Sequence, residues 1–302
     1  MNFRVTNAPT SNHLADWVQI SQQRASMAEQ QLATGKRITH PSDDPAGAGA
    51  VIQINNSQAI IQQFISNAND ANTRLTTADT ALNSYQQILD RASALLTQGA
   101  STTTTNEARQ SLADEIDGLR QQVLNIANTR TDSGYVFGGT RQNAPPYDPT
   151  TGAPAGGTPG PSLMQIEPGA SPVTVGVTAE STFADANGTV LDTLTQVASA
   201  LRGTGNPSAD QTTILNSLDR LTSFTQQAAE VRSQVGSSLN VVSAATDTLN
   251  STSLSLQTSL QQVSGADAAQ AATDLTSAQN ALQAISQAGM LVSKDSLISL
   301  LG

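Results

Sequence analysis

A chain of 302 residues with no cysteine and with 24 acidic against 14 basic side chains carries neither disulfide nor thiolate chemistry. Its sequence pI of about 4.5 gives no basic footprint for nucleic acid. No apolar run approaches the ~20 residues of a membrane-spanning helix. The opening Met1-Asn2-Phe3-Arg4 holds no apolar signal-peptide segment. The length suits two domains, or one rod with an insertion. A cytoplasmic location is the default, with export without a cleaved signal also compatible.

Residues 1–12 are polar, with Pro9 and Asn12, and are expected to be extended or loosely ordered. From Leu14 a seam at steps of three and four runs through Val18, Ser21, Ala25, Ala28 and Leu32. It predicts a helix of about five turns, flanked by the single Trp17 and ending near Gly35 as a left-handed cap. So weakly apolar a helix is marginal alone and needs packing partners. Next, Asp44 is a good N-cap acceptor, and Pro45 suits the first helical position, where a missing N–H costs nothing. Asp43 favours the positive end of the helix dipole. Ala46 to Ala50 are all Ala or Gly, which suggests close backbone approach by a neighbour.

From Pro45 to Gln98 the spacing predicts one helix. Its seam is Ile54, Ser57, Ile61, Phe64, Ala68, Ala71, Leu75, Ala78, Leu82, Tyr85, Leu89, Ala92 and Leu96. Only Ser57 on it is polar, and the charges Asp70, Arg74, Asp79, Asp90 and Arg91 fall off it. Such a helix would be roughly 80 Å long at ~1.5 Å per residue. A repeat sustained this far is the pattern of a helix packed along its length against other helices.

The stretch Leu32 to Val51 resembles the N-terminal signature of the bacterial flagellins and their relatives. The form Pro41-Ser42-Asp43-Asp44-Pro45-Ala46-Gly47 is closer to the hook–filament junction members of that family than to filament flagellins. Those usually carry Asp-Asp-Ala-Ala-Gly here.

Gly99 and the run Ser101 to Thr105 break the long helix, and Thr105 or Asn106 can cap the next. Its seam of Leu112, Ile116, Leu119, Val123 and Ile126 implies an antiparallel helical hairpin. Gly134 to Thr140 reads as a strand with turns and resembles the Gly-Tyr-hydrophobic-Phe-x-Gly-Thr element of junction proteins, part of a β-hairpin there. Asn143 to Pro161, rich in Pro and Gly, reads as exposed loop. Leu163 to Ile166 and Val173 to Val177 alternate like short strands, and Phe183 ends this segment. Helical spacing returns at Val190 to Leu201, breaks at Gly203 to Pro207, and resumes from Ile214 to Val263. The heptad phase slips at Gly265 to Asp267, where packing partners change. A last seam follows through Ala268, Ala271, Leu275, Ala278, Leu282, Ile285, Gly289 and Val292. Residues 228–242, Ala266 to Leu275 and the apolar tip Ser296 to Leu301 are similar to the flagellin C-terminal region.

The expected fold is mainly α: an elongated antiparallel helical rod with terminal coiled-coil helices and a small inserted β-rich domain. Residues 1–44 with 265–302 form a terminal helical assembly domain. Residues 45–140 with 190–264 form a central rod that includes a β-hairpin near 134–140. Residues 141–189 form the β-rich insertion at the outer end. The terminal pair is expected to order on assembly, and its repeated heterologous contact would generate a tube. The residues expected to carry assembly are Leu14, Val18 and Leu32 at one end and Leu282, Ile285, Leu297, Leu300 and Leu301 at the other. Each has an alternative as ordinary core. Pro41, Ser42, Asp43, Asp44 and Pro45 form the turn and helix cap.

The resemblance implies an extracellular structural protein of the flagellum that adapts hook to filament. It implies export through the flagellar type III apparatus without a cleaved signal. Its partners would be identical copies, the hook-side junction protein, flagellin and a cytoplasmic export chaperone, with no nucleic acid and no membrane. Alternatives are a filament flagellin paralogue and a soluble helical-rod binding module. No enzyme chemistry is expected: the two histidines, His13 and His40, make no His-Glu-x-x-His helix. Gln30 and Arg37 replace required positions of a phosphate-binding loop, and Gly47-Ala-Gly49 lacks a preceding strand and a third glycine. No catalytic, cofactor-binding or metal residue is assigned.

Overall fold

The computed structural model describes residues 8–101, 104–157 and 159–301, with the side chains of 8–12 and 292–301 outside that description. The order is α1 (Ala8–Thr34), α2 (Pro45–Gly99), α3 (Asn106–Ala127), β1 (Arg130–Thr131), β2 (Gly134–Tyr135), β3 (Ser162–Met164), β4 (Val173–Gly176), α4 (Ala179–Phe183), β5 (Ala184–Asp185), β6 (Gly188–Thr189), α5 (Val190–Arg202), α6 (Pro207–Ser264) and α7 (Ala268–Leu301). The fold is mainly α with a small β part, as the apolar spacing predicts. The strands make three separate antiparallel pairs, β1–β2, β3–β4 and β5–β6. The contacts divide the chain into two compact units, Met1–Ile60 with Ser253–Gly302, and Ile61–Thr252.

In the second unit the seam of α2 is the buried line. Ala68, Ala71, Leu75, Ala78, Leu82, Tyr85, Leu89, Ala92 and Leu96 are all 2% exposed or less. Helix α3 covers α2 in antiparallel register. Arg91 Nε donates to Glu115 Oε1 at 2.7 Å, while Ser84 and Gln87 share a groove with Gln122 and Asn125. Thr105 caps α3 by accepting the Ala108 N–H at 3.3 Å. A reciprocal capping box of Thr189 and Asp192 starts α5. Helix α5 is tied to α3 by Arg202, which reaches Asp114 at 2.8 Å and Asp117 at 2.6 Å. Arg232 of α6 reaches Asp79 of α2 at 2.8 Å.

Three expectations for residues 1–189 need correction. Helix α1 begins at Ala8 rather than Leu14, because propagation adds one hydrogen bond per residue and carries a polar flank with it. The strand expected over Gly134–Thr140 is only Gly134–Tyr135, because Phe137 turns inward. Its ring meets Phe183 edge-on at 5.0 Å between centroids. The loop expected to be exposed, 143–161, is anchored at Tyr147, which is 2% exposed. Asn128 Nδ2 donates to the Tyr147 carbonyl at 2.9 Å, and the Tyr147 N–H donates to Asn128 Oδ1 at 3.1 Å. Phe183 closes the one-turn helix α4 and centres an aromatic cluster, with Tyr85 at 4.7 Å and Tyr147 at 6.3 Å. Burial pushes both phenols above their ordinary range. Edge-to-face geometry adds stabilisation beyond the area buried.

Phe183→Ala is expected to destabilise the second unit by about 3–5 kcal/mol, measured by urea unfolding with near-UV circular dichroism. A loss under about 1 kcal/mol would show that the cluster is not its core.

Candidate assembly surface

The first unit is built around two short linkers. Gly35, at φ +66°, ends α1 in the left-handed conformation that glycine adopts without strain. The chain then meets the segment that joins α6 to α7. Arg37 N–H donates to the Ser264 carbonyl at 2.7 Å, and Ala266 N–H donates to the Gly35 carbonyl at 3.0 Å. Lys36 and Gly265 thus form an antiparallel bridge. A side chain at Gly265 would strike the Gln261 carbonyl. Asp267 then caps α7, its Oδ1 accepting the N–H groups of Ala269 at 2.9 Å and Gln270 at 3.2 Å.

The turn before α2 is held by two carboxylates with separate tasks. Asp43 Oδ2 accepts the N–H groups of Thr39 at 3.0 Å and His40 at 2.8 Å, which closes the turn. Asp44 Oδ1 accepts the Gly47 N–H at 2.9 Å, satisfying one of the free donors at the start of α2. Pro45 fills the next position, where no N–H is needed. A Cβ on Gly47 would lie 2.5 Å from both Asp44 Oδ2 and Ile38 Cδ1, so the cap and the buried Ile38 leave no room for a side chain. Pro41, Ser42, Asp43 and Pro45 are exposed, and Asp44 is half-buried.

Helices α1 and α7 pack antiparallel over small residues. Ser21, Ala25, Ala28, Ala271 and Ala278 are buried between them, and a Cβ on Gly289 would lie 3.2 Å from Leu14 Cδ2. Leu14 and Val18 on α1, and Leu282 and Ile285 on α7, are half-buried. Leu32 is exposed. Leu297, Leu300 and Leu301 fall outside the residues whose side chains are described. Beside this seam runs a second apolar stripe that the seam analysis missed. Trp17, Ile20 and Met27 lie within about a quarter-turn of α1 and are 57%, 45% and 56% exposed. Met290 and Leu291 stand exposed on α7. A helical wheel would have found the stripe, because these residues fall off the seam but together.

Exposed apolar surface and charge are distributed unequally. Among the described residues, twelve large apolar side chains are exposed, and all but Leu163, Leu215 and Val241 belong to the first unit. Residues 61–252 hold 17 acidic and 9 basic side chains, which accounts for most of the net charge of −10. A nearly neutral surface with clustered exposed apolar side chains is the signature of a contact face. Among the described residues no helix is long and apolar enough to cross a membrane, and no His, Asp and Glu cluster is placed to hold a metal.

Both linker carboxyls sit below the ordinary aspartate range. The His40 and then the Thr39 N–H groups lower Asp43, and the Gly47 N–H followed by Arg37 lowers Asp44. A depressed folded-state pKa means stabilisation that is present above the unfolded value and lost as pH falls through the folded one. Acid titration followed by NMR is therefore expected to move the Gly47 and His40 amide resonances with midpoints below 3.8, the ordinary aspartate value. Asp44→Asn should abolish the Gly47 transition. A midpoint at or above 3.8 would contradict the cap.

Residues 5–140 match the bacterial flagellin N-terminal helical region, and residues 218–301 match the bacterial flagellin C-terminal helical region. The chain is 28% identical to flagellar hook-associated protein 3 of Salmonella typhimurium over 52% of its length, and spans about half (47%) of that relative. It is 26% identical to flagellar hook-associated protein 3 of Escherichia coli, over 76% of this chain and 75% of that one. The crystal structure of Xanthomonas campestris FlgL superposes with a TM-score of 0.62 at 17% identity, covering 69% of this chain and 99% of that one. That likeness is one of fold. With both helical regions of the family matched across most of its length, the chain belongs to the flagellin family, and the relatives it matches are structural proteins of the flagellum, not enzymes.

Proposed function

We propose that this structural component of the flagellum is the junction adaptor between hook and filament. Copies of it form a ring that sits on the hook-side junction protein and receives the first flagellin subunits. The observation that carries the reading is the concentration of exposed apolar side chains on the unit that holds α1 and α7. Clustered exposed apolar side chains mark a surface that a partner covers. The choice of junction over filament rests on the Pro41 to Gly47 form and on the similarity to hook-associated protein 3 in two organisms.

In this account residues 1–44 with 265–302 are the assembly domain, residues 45–140 with 190–264 the central helical domain, and 141–189 the outer insertion. Leu14, Val18, Leu282 and Ile285 set the α1–α7 seam. Trp17, Ile20 and Met27 meet the next subunit, and Leu32, Leu297, Leu300 and Leu301 extend the contact. The contact is heterologous, one face meeting a different face of its neighbour, so repetition builds a ring or tube rather than a closed dimer. The protein reaches this position outside the cell through the flagellar export apparatus. Before export, a cytoplasmic chaperone covers the apolar face of α7.

A strain lacking the chain, viewed by electron microscopy, is expected to show hooks without filaments, with flagellin shed into the medium. Adding back a chain truncated after residue 264 should leave the hooks bare, while the second unit of that chain folds normally. Normal filaments in the deletion strain would rule out the junction role. Filaments restored by the truncated chain would rule out assembly through α7.

A further inference from the structure

Arg37 contributes nothing to the apolar seam, yet four helix ends of the first unit meet at it. Its Nη2 donates to Asp44 Oδ2 and to the Val263 carbonyl, both at 3.0 Å. The first acceptor belongs to the N-cap of α2, and the second to the last turn of α6. Its backbone sits in the Lys36–Gly265 bridge, which joins the end of α1 to the entry of α7. The charges suit the position: a cation at the carbonyl end of α6 and a carboxylate at the amide end of α2 both oppose the local helix dipole. A guanidinium can serve several acceptors in one rigid plane, which an ammonium on a flexible stem does less well.

The pair is too exposed to matter much for stability. The side chains of Arg37 and Asp44 are 48% and 29% exposed, a setting in which ion pairs contribute little. What the arrangement fixes is direction. Packing beside it is close, since neither Gly47 nor Gly265 admits a Cβ without displacing a neighbour.

We infer that Arg37 is a positioning residue for assembly. It sets the angle at which the α1–α7 pair leaves the ends of α2 and α6, and so aims the Trp17–Ile20–Met27 stripe at the adjoining subunit. This rests on the assembly reading above and adds the residue that orients the contact.

The chain has no cysteine, so Gln23→Cys on α1 and Gln257→Cys on α6, both exposed positions of the first unit, can be spin-labelled cleanly in the full chain. Pulsed electron paramagnetic resonance should give a narrow distance distribution that broadens in Arg37→Ala. Asp44→Asn keeps a good cap while removing the ion pair, and should broaden it in the same sense. Amide exchange at Arg37 and Ala266 should accelerate about three- to tenfold, with exchange in the second unit unchanged. Binding of Arg37→Ala to purified hooks that carry the hook-side junction protein should fall about tenfold. An unchanged distance distribution, or undiminished binding despite a broadened one, overturns the inference. Failure of the assembly reading shows separately, because the unsubstituted chain would then not bind those hooks at all.

Discussion

The first unit depends on one backbone bridge. Helix α1 packs through Ser21, Ala25 and Ala28, and α7 answers with Ala271 and Ala278. Small residues allow close approach but remove little apolar area from water, so the pairing is weakly driven. Two hydrogen bonds, Arg37 to Ser264 and Ala266 to Gly35, hold the helices at their common end and raise the effective concentration of each for the other. Gly47 and Gly265 sit where the joint leaves no space for a side chain, and Gly35 takes a left-handed conformation that other residues rarely adopt. The same weakness leaves Trp17, Ile20 and Met27 uncovered, which is what an interface built from a second helix stripe requires.

The second unit solves the opposite problem. Its α2 seam is buried from Ala68 to Leu96, and four of its large buried side chains, Tyr85, Phe137, Tyr147 and Phe183, gather at one place. That cluster takes one ring from α2, one from the segment after β2, one from a proline-rich loop and one from α4. It therefore fixes short strands and loops that could not hold shape alone. Arginines cross from helix to helix at the surface, with Arg91, Arg202 and Arg232 each reaching carboxylates on another helix. Most of the acidic excess lies on this unit. Like charge disfavours indiscriminate self-association there and leaves adhesion to the nearly neutral first unit.

Helix existence was legible because the 3.5-residue repeat persists for many turns. The seam from Ala68 to Leu96 is the buried line, and α2 and α3 end within a residue or so of where capping residues and glycines place them. The heptad slip at Gly265 to Asp267 is a true break, with α6 ending at Ser264 and α7 starting at Ala268. Periodicity was silent where one side chain overrides its neighbours. Tyr147 anchors a loop of turn-forming residues, and Phe137 cuts a strand short. At the candidate interface the seam pointed to Leu14, Val18, Leu282 and Ile285, which are half-buried, with Leu14 beside Gly289 of α7. The stripe of Trp17, Ile20 and Met27 lies off that repeat. Arg37 was invisible as a joint because two of its acceptors, the Val263 and Ser264 carbonyls, lie more than two hundred residues away, a distance that no local pattern encodes.

The most direct test uses Trp17, the only tryptophan in the chain. Its fluorescence should report a solvated indole, open to acrylamide quenching, in the free protein. On binding to hooks that carry the hook-side junction protein, the emission should shift to the blue and the quenching should be lost, as the α1 stripe is covered. A bound protein whose Trp17 stays red-emitting and fully quenchable would show that this face is not the contact.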